Sequence, residues 1–322
     1  VAAHHPSMGM PCAAGNPGSG LMACDSPGPV ATLTDVMDTD HPWPEPLRRM
    51  PDGTVKQINP YSGTSVWTVP GRGDRPLASG LPAPAPIDHA LDGRHCAFCE
   101  LRYFDTPPEK SRLVADPDGW HLLRGLAADR IESSVAQFRR IPNLFEIVAY
   151  DYWRLNYGFE PGSDARQRHD HYLATQRGRV HVEAMIRTRA MASGMSEEQW
   201  AALTPPDKAQ RAMSFFAGTH DVIVARRHFV DGASTTDQLA ASGSLTPDEH
   251  AAYLRFTVDA LRSVYEANRY ARYVAVFQNW LRPAGASFDH LHKQLVAVDE
   301  RSVRTEHELR RLRDNLNLYN EF

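Results

Sequence analysis

Gly285-Ala286-Ser287-Phe288-Asp289-His290-Leu291-His292-Lys293-Gln294 is the stretch that decides the fold of this chain. If His290 opens a strand, the two-residue period puts His290, His292 and Gln294 on one face and Leu291, Lys293 and Leu295 on the other. The predicted strand runs over 290–298, ending in Leu-Val-Ala-Val. Its polar face has two readings, a solvated surface or a site where three polar groups converge. Working outward, β-prone runs at 221–225 and 273–279 give two more strands. Between them Thr246-Pro247-Asp248-Glu249 combines a threonine N-cap, proline at the first helical position and glutamate three residues on, which predicts a helix to about residue 268. Strand, helix, strand, loop, strand is an α+β order.

The remainder bounds the class of protein. The chain has 322 residues, 42% hydrophobic and 23% charged, with four cysteines, enough for a full-sized core without disulfide staples. A net charge of −4 argues against a broad basic surface for nucleic acid, so an anionic ligand must be met locally. No apolar run approaches the roughly 18–20 residues of a membrane-spanning helix, and the first residues have no basic-then-apolar leader pattern. A cytoplasmic protein with no membrane partner is expected. Residues 1–48 are rich in Pro, Gly, Ser and Met without periodicity and read as a tail, in which Cys12, Cys24, His4 and His5 are bystanders. Residues 49–322 read as one domain with a helical insertion at about 150–215. Asn59, Pro60, Ser62 and Gly63 predict a turn into a strand at 65–69. Helices are expected over 127–140, 166–191 and 303–318, with a capping box at Ser196-Glu-Glu-Gln199.

Cys96-Ala-Phe-Cys99 carries the next piece of chemistry. Without signs of an oxidising compartment or of a thioredoxin-like unit, two cysteines at this spacing read as half of a zinc site completed by imidazoles. By spacing alone His169, His171, His220, His228 and His290 all qualify as partners.

These segments together resemble the galactose-1-phosphate uridylyltransferase family, in the nucleotidyl-transferring branch of the histidine-triad superfamily. The resemblance rests on Asn59-Pro60-x-x-Gly63, Pro70-x-Arg72-x-x-Arg75-Pro76, Cys96-x-x-Cys99, Pro142-Asn143-x-Phe145, the strand leading to His228, Phe277-x-Asn279, and Gly285-Ala286-Ser287-x-x-His290-x-His292-x-Gln294, in that order. It implies a histidine-triad-like antiparallel sheet with flanking helices. It also implies zinc on Cys96, Cys99, His228 and His290, His292 as nucleophile, and Gln294 and Ser287 on the phosphates. Arg72, Arg75, Asn143 and Asn279 would lie around the nucleotide, with the arginines given across a homodimer. The implied reaction moves a nucleoside monophosphate, UMP first, from a nucleoside diphosphate-sugar such as UDP-glucose to galactose 1-phosphate or a similar acceptor, as in galactose metabolism. A hydrolase or phosphorylase on the same scaffold is the alternative. Asp289 and Leu291 stand where the family has prolines, which makes Asp289 a candidate acceptor for a ligating imidazole. Only about twenty-two residues follow Glu300, whereas the family completes sugar-phosphate recognition with a second, related half.

Elementary chemistry agrees with these roles. A neutral imidazole attacks phosphorus only if its other nitrogen is held, best by a backbone carbonyl. Residues two apart on a strand lie roughly 6.5–7 Å apart, which puts a metal on His290 beside the attack site rather than in it. His169 and His171 read as a solvated helix face, Tyr150-Asp151-Tyr152-Trp153 as packing, and Arg226, Arg227 and Arg282 as candidate phosphate grips.

Overall fold

The structure, a computed structural model, describes residues 46–49, 55–68, 83–279, 281 and 284–318. The chain divides into two compact units, Val1–Pro70 and Gly71–Phe322. In the first, β1 (Leu47–Arg49), β2 (Val55–Ile58) and β3 (Ser65–Thr68) form an antiparallel sheet in that order. The predicted turn lies between β2 and β3. The Asn59 side chain accepts from the Tyr61 and Ser62 N–H groups, and Gly63 takes the left-handed conformation that closes it. The tail prediction falls almost wholly outside the described residues.

The second unit is α+β, as expected. Six antiparallel strands run in the order β5-β4-β6-β7-β9-β8: β4 Ser111–Asp116, β5 Gly119–Arg124, β6 Phe138–Pro142, β7 His220–Ala225, β8 Tyr273–Phe277 and β9 His292–Val298. Five helices, α1 (Tyr150–Tyr157), α2 (Ser163–Leu173), α3 (Gln176–Ala192), α4 (Glu197–Ala201) and α5 (Pro205–Ala217), lie between β6 and β7. The long α6 (Pro247–Ala267) connects β7 to β8, and α7 (Val303–Asp314) follows β9. The Thr246 capping box starts α6, and Ser196 caps α4 in the same way.

Three sequence expectations are corrected. The helix expected over 127–140 is a 3-10 turn, Ala128–Ser133, followed by β6. Its apolar spacing served two non-local pairings instead, with β4 and β7. The helix expected over 166–191 is broken into α2 and α3, because Thr175 caps α3 and Gly178 packs so tightly on the Tyr172 carbonyl that a β-carbon would lie 1.9 Å from it. The strand expected from His290 begins two residues later. The hairpin β4–β5 was not anticipated, although Asp116-Pro117-Asp118-Gly119 is a turn signal; the Asp116 carboxylate accepts from the Asp118 N–H there.

Register fixes which residues share a face. Gln294 lies opposite Val222 and His292 opposite Val224, so these four point one way. With Phe98 and Ile141, the two valines form a small apolar cluster on that face. Asp221, Ile223, Lys293 and Leu295 point the other way, toward α6. There the main core gathers Phe138, Trp153, Ile223, Tyr253, Phe256 and Leu295. Tyr253 stacks on Phe138 at 4.7 Å, and the Lys293 ammonium sits 3.8 Å from the Tyr253 ring centre. A separate core, built on Tyr172, Val182, Ile186, Trp200, Phe215 and Phe216, holds α2 to α5 together.

Candidate active site and metal centre

The turn Cys96–Cys99 brings its two sulfurs to 3.8 Å, with the Cys99 N–H bonded to the Cys96 carbonyl. Nδ1 of His228, just beyond β7, lies 3.5 Å from each sulfur. Nδ1 of His290, just before β9, lies 3.5 and 3.8 Å from them. A tetrahedral zinc with its usual bond lengths has S–S edges of about 3.8 Å and S–N edges of about 3.6 Å. The donor atoms, all within 4.8 Å of one another, therefore form a cluster that could hold a metal, and both donor chemistry and spacing fit zinc. His290 donates its Nε2–H to the Ala225 carbonyl at 2.6 Å, which fixes the tautomer with a lone pair on Nδ1 toward the cluster. That backbone oxygen fills the role expected of Asp289, whose side chain makes no hydrogen bond among the described residues. Contact with Cys96, then with His228 and His290, holds the Cys99 thiol well below its ordinary range, toward the thiolate a metal needs.

The knuckle also shapes the neighbouring cavity. Phe98, between the two cysteines, meets the His292 ring edge-on at 5.3 Å and the Phe288 ring at 4.3 Å. His292 is buried, and its Nδ1 lies 2.7 Å from the His290 carbonyl. A carbonyl only accepts, so Nδ1 carries the proton and Nε2 keeps its lone pair. Burial lowers the His292 pKa from the ordinary imidazole value, which favours the neutral form. The ring is held in the state a nucleophile requires.

A cavity of about 360 Å3 opens in front of it. Phe98, Phe145, Ile147 and Phe288 give it apolar walls, and Asp105, Thr106, Asn143, His220, Ser287, His292 and Gln294 are its polar lining. Gly285, at φ +84, supports the turn before Ser287; the Asn279 amide stands 4.0 Å from where a Gly285 β-carbon would be, and Asn279 does not line the cavity. Arg72, Arg75 and Arg282 lie outside the described residues. Arg227 is engaged elsewhere, by Glu249 at 2.9 and 2.8 Å and by Asp231, and Arg226 by Gln137.

His220 was considered only as a metal ligand by spacing, and it belongs here instead. Its Nδ1 accepts from the Ile147 N–H at 2.9 Å, so its proton is on Nε2 and is donated to Gln294 Oε1 at 3.0 Å. Asn143, oriented by the Phe145 N–H on its oxygen, donates to the same Gln294 oxygen at 3.3 Å. With Oε1 occupied twice, the Gln294 NH2 group is the end left without an acceptor among the described residues. Burial lowers the His220 pKa too. The signal for His220 was its place at the start of a strand whose next inward residue, Val222, lies opposite Gln294.

Fold and site define an α+β protein with two tautomer-fixed histidines beside a Cys2His2 cluster. The chain belongs to the DUF4921 family, described as a domain of unknown function, which residues 50–322 match. No curated protein matches the sequence significantly. Solved structures with some likeness include an ADP-glucose phosphorylase from Arabidopsis thaliana with bound ADP-glucose, at 15% identity and a TM-score of 0.37, covering 81% of this chain and 54% of that one. A GalT-like protein from Arabidopsis thaliana is similar at 15% identity and a TM-score of 0.37, covering 70% and 48%. This chain spans about half the length of each, and likeness at that level bears on neither activity nor substrate.

Proposed function

We propose that this chain is a nucleotidyltransferase working through a covalent nucleotidyl-His292. The observation that carries the proposal is the His292 tautomer: Nδ1–H on the His290 carbonyl and a free Nε2 in the cavity beside an oriented Gln294 amide. The Nε2 lone pair attacks the α-phosphorus of a nucleoside diphosphate-sugar, a UDP-sugar first. The bond to the bridging oxygen breaks, and the sugar 1-phosphate leaves with the electron pair. Positive charge on the ring is spread through Nδ1–H to the His290 carbonyl. A phosphorylated acceptor such as galactose 1-phosphate then attacks the same phosphorus, and the P–N bond breaks. Gln294 NH2 and Ser287 Oγ donate to the phosphoryl oxygens as charge develops. The apolar walls take the base, while Asn143 holds Gln294, Asn279 supports the loop, and Arg72 and Arg75 meet the phosphates. Cys96, Cys99, His228 and His290 hold zinc, which supplies a rigid clamp that sets Phe98 and the His290 carbonyl against His292.

The test is intact-protein mass measurement after incubation with UDP-glucose, ADP-glucose, ATP or GTP, on wild type and His292→Ala. An acid-labile nucleoside monophosphate adduct, absent from the variant, is expected and names the base. Decay of the isolated adduct in buffer or with inorganic phosphate, and not with sugar phosphates, would identify a hydrolase or phosphorylase. Neither adduct nor turnover with any donor would overturn the proposal.

A further inference from the structure

We propose that the face of the sheet opposite His292 carries a second ligand site, for a hydroxyl-bearing phosphate ester, in the groove floored by Ser111 and walled by Arg124, Arg140, Arg168 and Asp259. A cavity of about 1240 Å3 lies there, where α2 and α6 cross β4 and β6. Register builds its floor: Ser111 lies opposite Arg124 on β5 and opposite Arg140 on β6, so the three project from the same face as a cation, hydroxyl, cation row. Six arginine and lysine side chains line the cavity against four carboxylates, with Asp221 buried beneath it. The helix α6 answers the row from above, with Asp259 on Arg124 at 2.6 Å and Ser263 on Arg140 at 2.9 Å.

Ion pairing alone does not account for this lining. Ser111 Oγ, Thr219 Oγ1 and Arg168 Nε are buried without a hydrogen-bond partner among the described residues, and all three residues line the cavity. Ser111 is 5% exposed and Thr219 2%. Buried donors without acceptors are costly and uncommon, and three around one cationic cavity match the oxygens of a phosphate. Arg262, at the rim, has no ion-pair partner among the described residues. The opposite need is present as well. Asp259 Oδ2 is buried with no donor among the described residues, and a carboxylate oxygen takes a hydroxyl, which a sugar phosphate carries on carbons away from its phosphate group, whereas inorganic phosphate has hydroxyls only on the phosphorus that the arginines would hold. The site is separate from the proposed acceptor position, because Arg140 and Asp221 point away from the face of His292 and Gln294.

The experiment is thermal denaturation and calorimetric titration of the full chain with ribose 5-phosphate and with inorganic phosphate, on wild type, Ser111→Ala, Arg124→Gln and Gln294→Ala. Ser111→Ala removes a hydroxyl that no protein group uses, so the unliganded variant keeps its melting temperature. Ribose 5-phosphate is expected to raise the wild-type melting temperature. Its affinity should fall at least about tenfold in Ser111→Ala and Arg124→Gln and be unchanged in Gln294→Ala. Inorganic phosphate should bind more weakly. No binding of either probe at millimolar concentration overturns the proposal. So does affinity that Ser111→Ala leaves intact, which would mean surface counterion attraction, or affinity lost only in Gln294→Ala, which would place the probe in the His292 cavity. Because Gln294→Ala separates the two cavities, the outcome is independent of whether His292 transfers nucleotides.

Discussion

His220 and Asp221 are adjacent on β7 and point to opposite faces, and each is buried in a different electrostatic regime. The hydrogen-bond partners of His220 and His292 are neutral, namely Gln294, the Ile147 N–H and the His290 carbonyl, with burial lowering the imidazole pKa values and these bonds fixing which nitrogen carries the proton. The side-chain partners of Asp221 are ions. Burial alone would raise the Asp221 pKa, but Arg140 and Lys110, at 2.6 Å each, bring it below the usual carboxylate range. One strand thus supports a face where protonation is set for chemistry and a face where charge is balanced for cohesion. A neutral imidazole loses little by burial and keeps its lone pair, whereas a buried ion is tolerable only while its partner stays.

The comparison can be broken from either side. The largest effect is expected on the His292 face: if His292 is the nucleophile as proposed, His292→Ala should lower turnover by about 10^4-fold or more and leave the melting temperature nearly unchanged, read by initial rates and calorimetry. An equal loss of stability would show that His292 is chiefly a core residue. Next, Asp221→Asn strands two buried cations and should destabilise by about 3–5 kcal/mol in denaturant titration. Loss below about 1 kcal/mol would mean that the Asp221 side is not held by its ions. Gln294→Ala should then cost about 10²-fold in kcat with stability retained, and His220→Phe should reproduce part of that loss by freeing the amide to turn over. An unaffected His220→Phe would remove His220 as a positioning residue.

The smallest effect concerns Glu146, in the loop between Asn143 and α1. Burial pushes its pKa up to about 7, against an ordinary 4.5. A raised carboxyl binds more protons folded than unfolded, so its contribution to stability is fully present below about 4.5 and is lost as pH rises through about 7. Glu146→Gln keeps an acceptor for the Tyr150 N–H and should flatten this alkaline loss, by up to about 3 kcal/mol at pH 8. His181 runs the other way. Burial lowers its pKa to about 4, so stability falls as pH drops from about 6.5 toward 4. Acid and alkaline melting curves of the two variants, Glu146→Gln and His181→Phe, separate the contributions.

Much of the site could be read in advance because its parts are local. Cys96-x-x-Cys99 is one turn, His290, His292 and Gln294 obey the strand period, and the Thr246 box needs only four residues to start α6. What was missed depends on contacts distant in sequence. Helical spacing over 127–140 could not show that Phe138 and Ile141 would pair with β4 and β7. The break at Thr175 needed the close approach of Gly178 to the Tyr172 carbonyl. His220 looked like any histidine until β7 was laid against β9 and its Nε2 met Gln294.

Residue type and short-range spacing by themselves pointed to an α+β core and to a Cys-x-x-Cys pair that imidazoles would complete, and the motif resemblance singled out His228 and His290 as those imidazoles and His292 as the candidate nucleophile, since metal ligation and nucleophilicity are properties of side chains. Tertiary structure alone decided that Nδ1 of His292 is the protonated nitrogen, that Gln294 offers its NH2 end, and that Ser111 lies between two arginines on the opposite face. The reason is physical: protonation state, amide orientation and unmet hydrogen-bonding capacity depend on what lies within about 3 Å, and in a folded chain those neighbours come from remote positions.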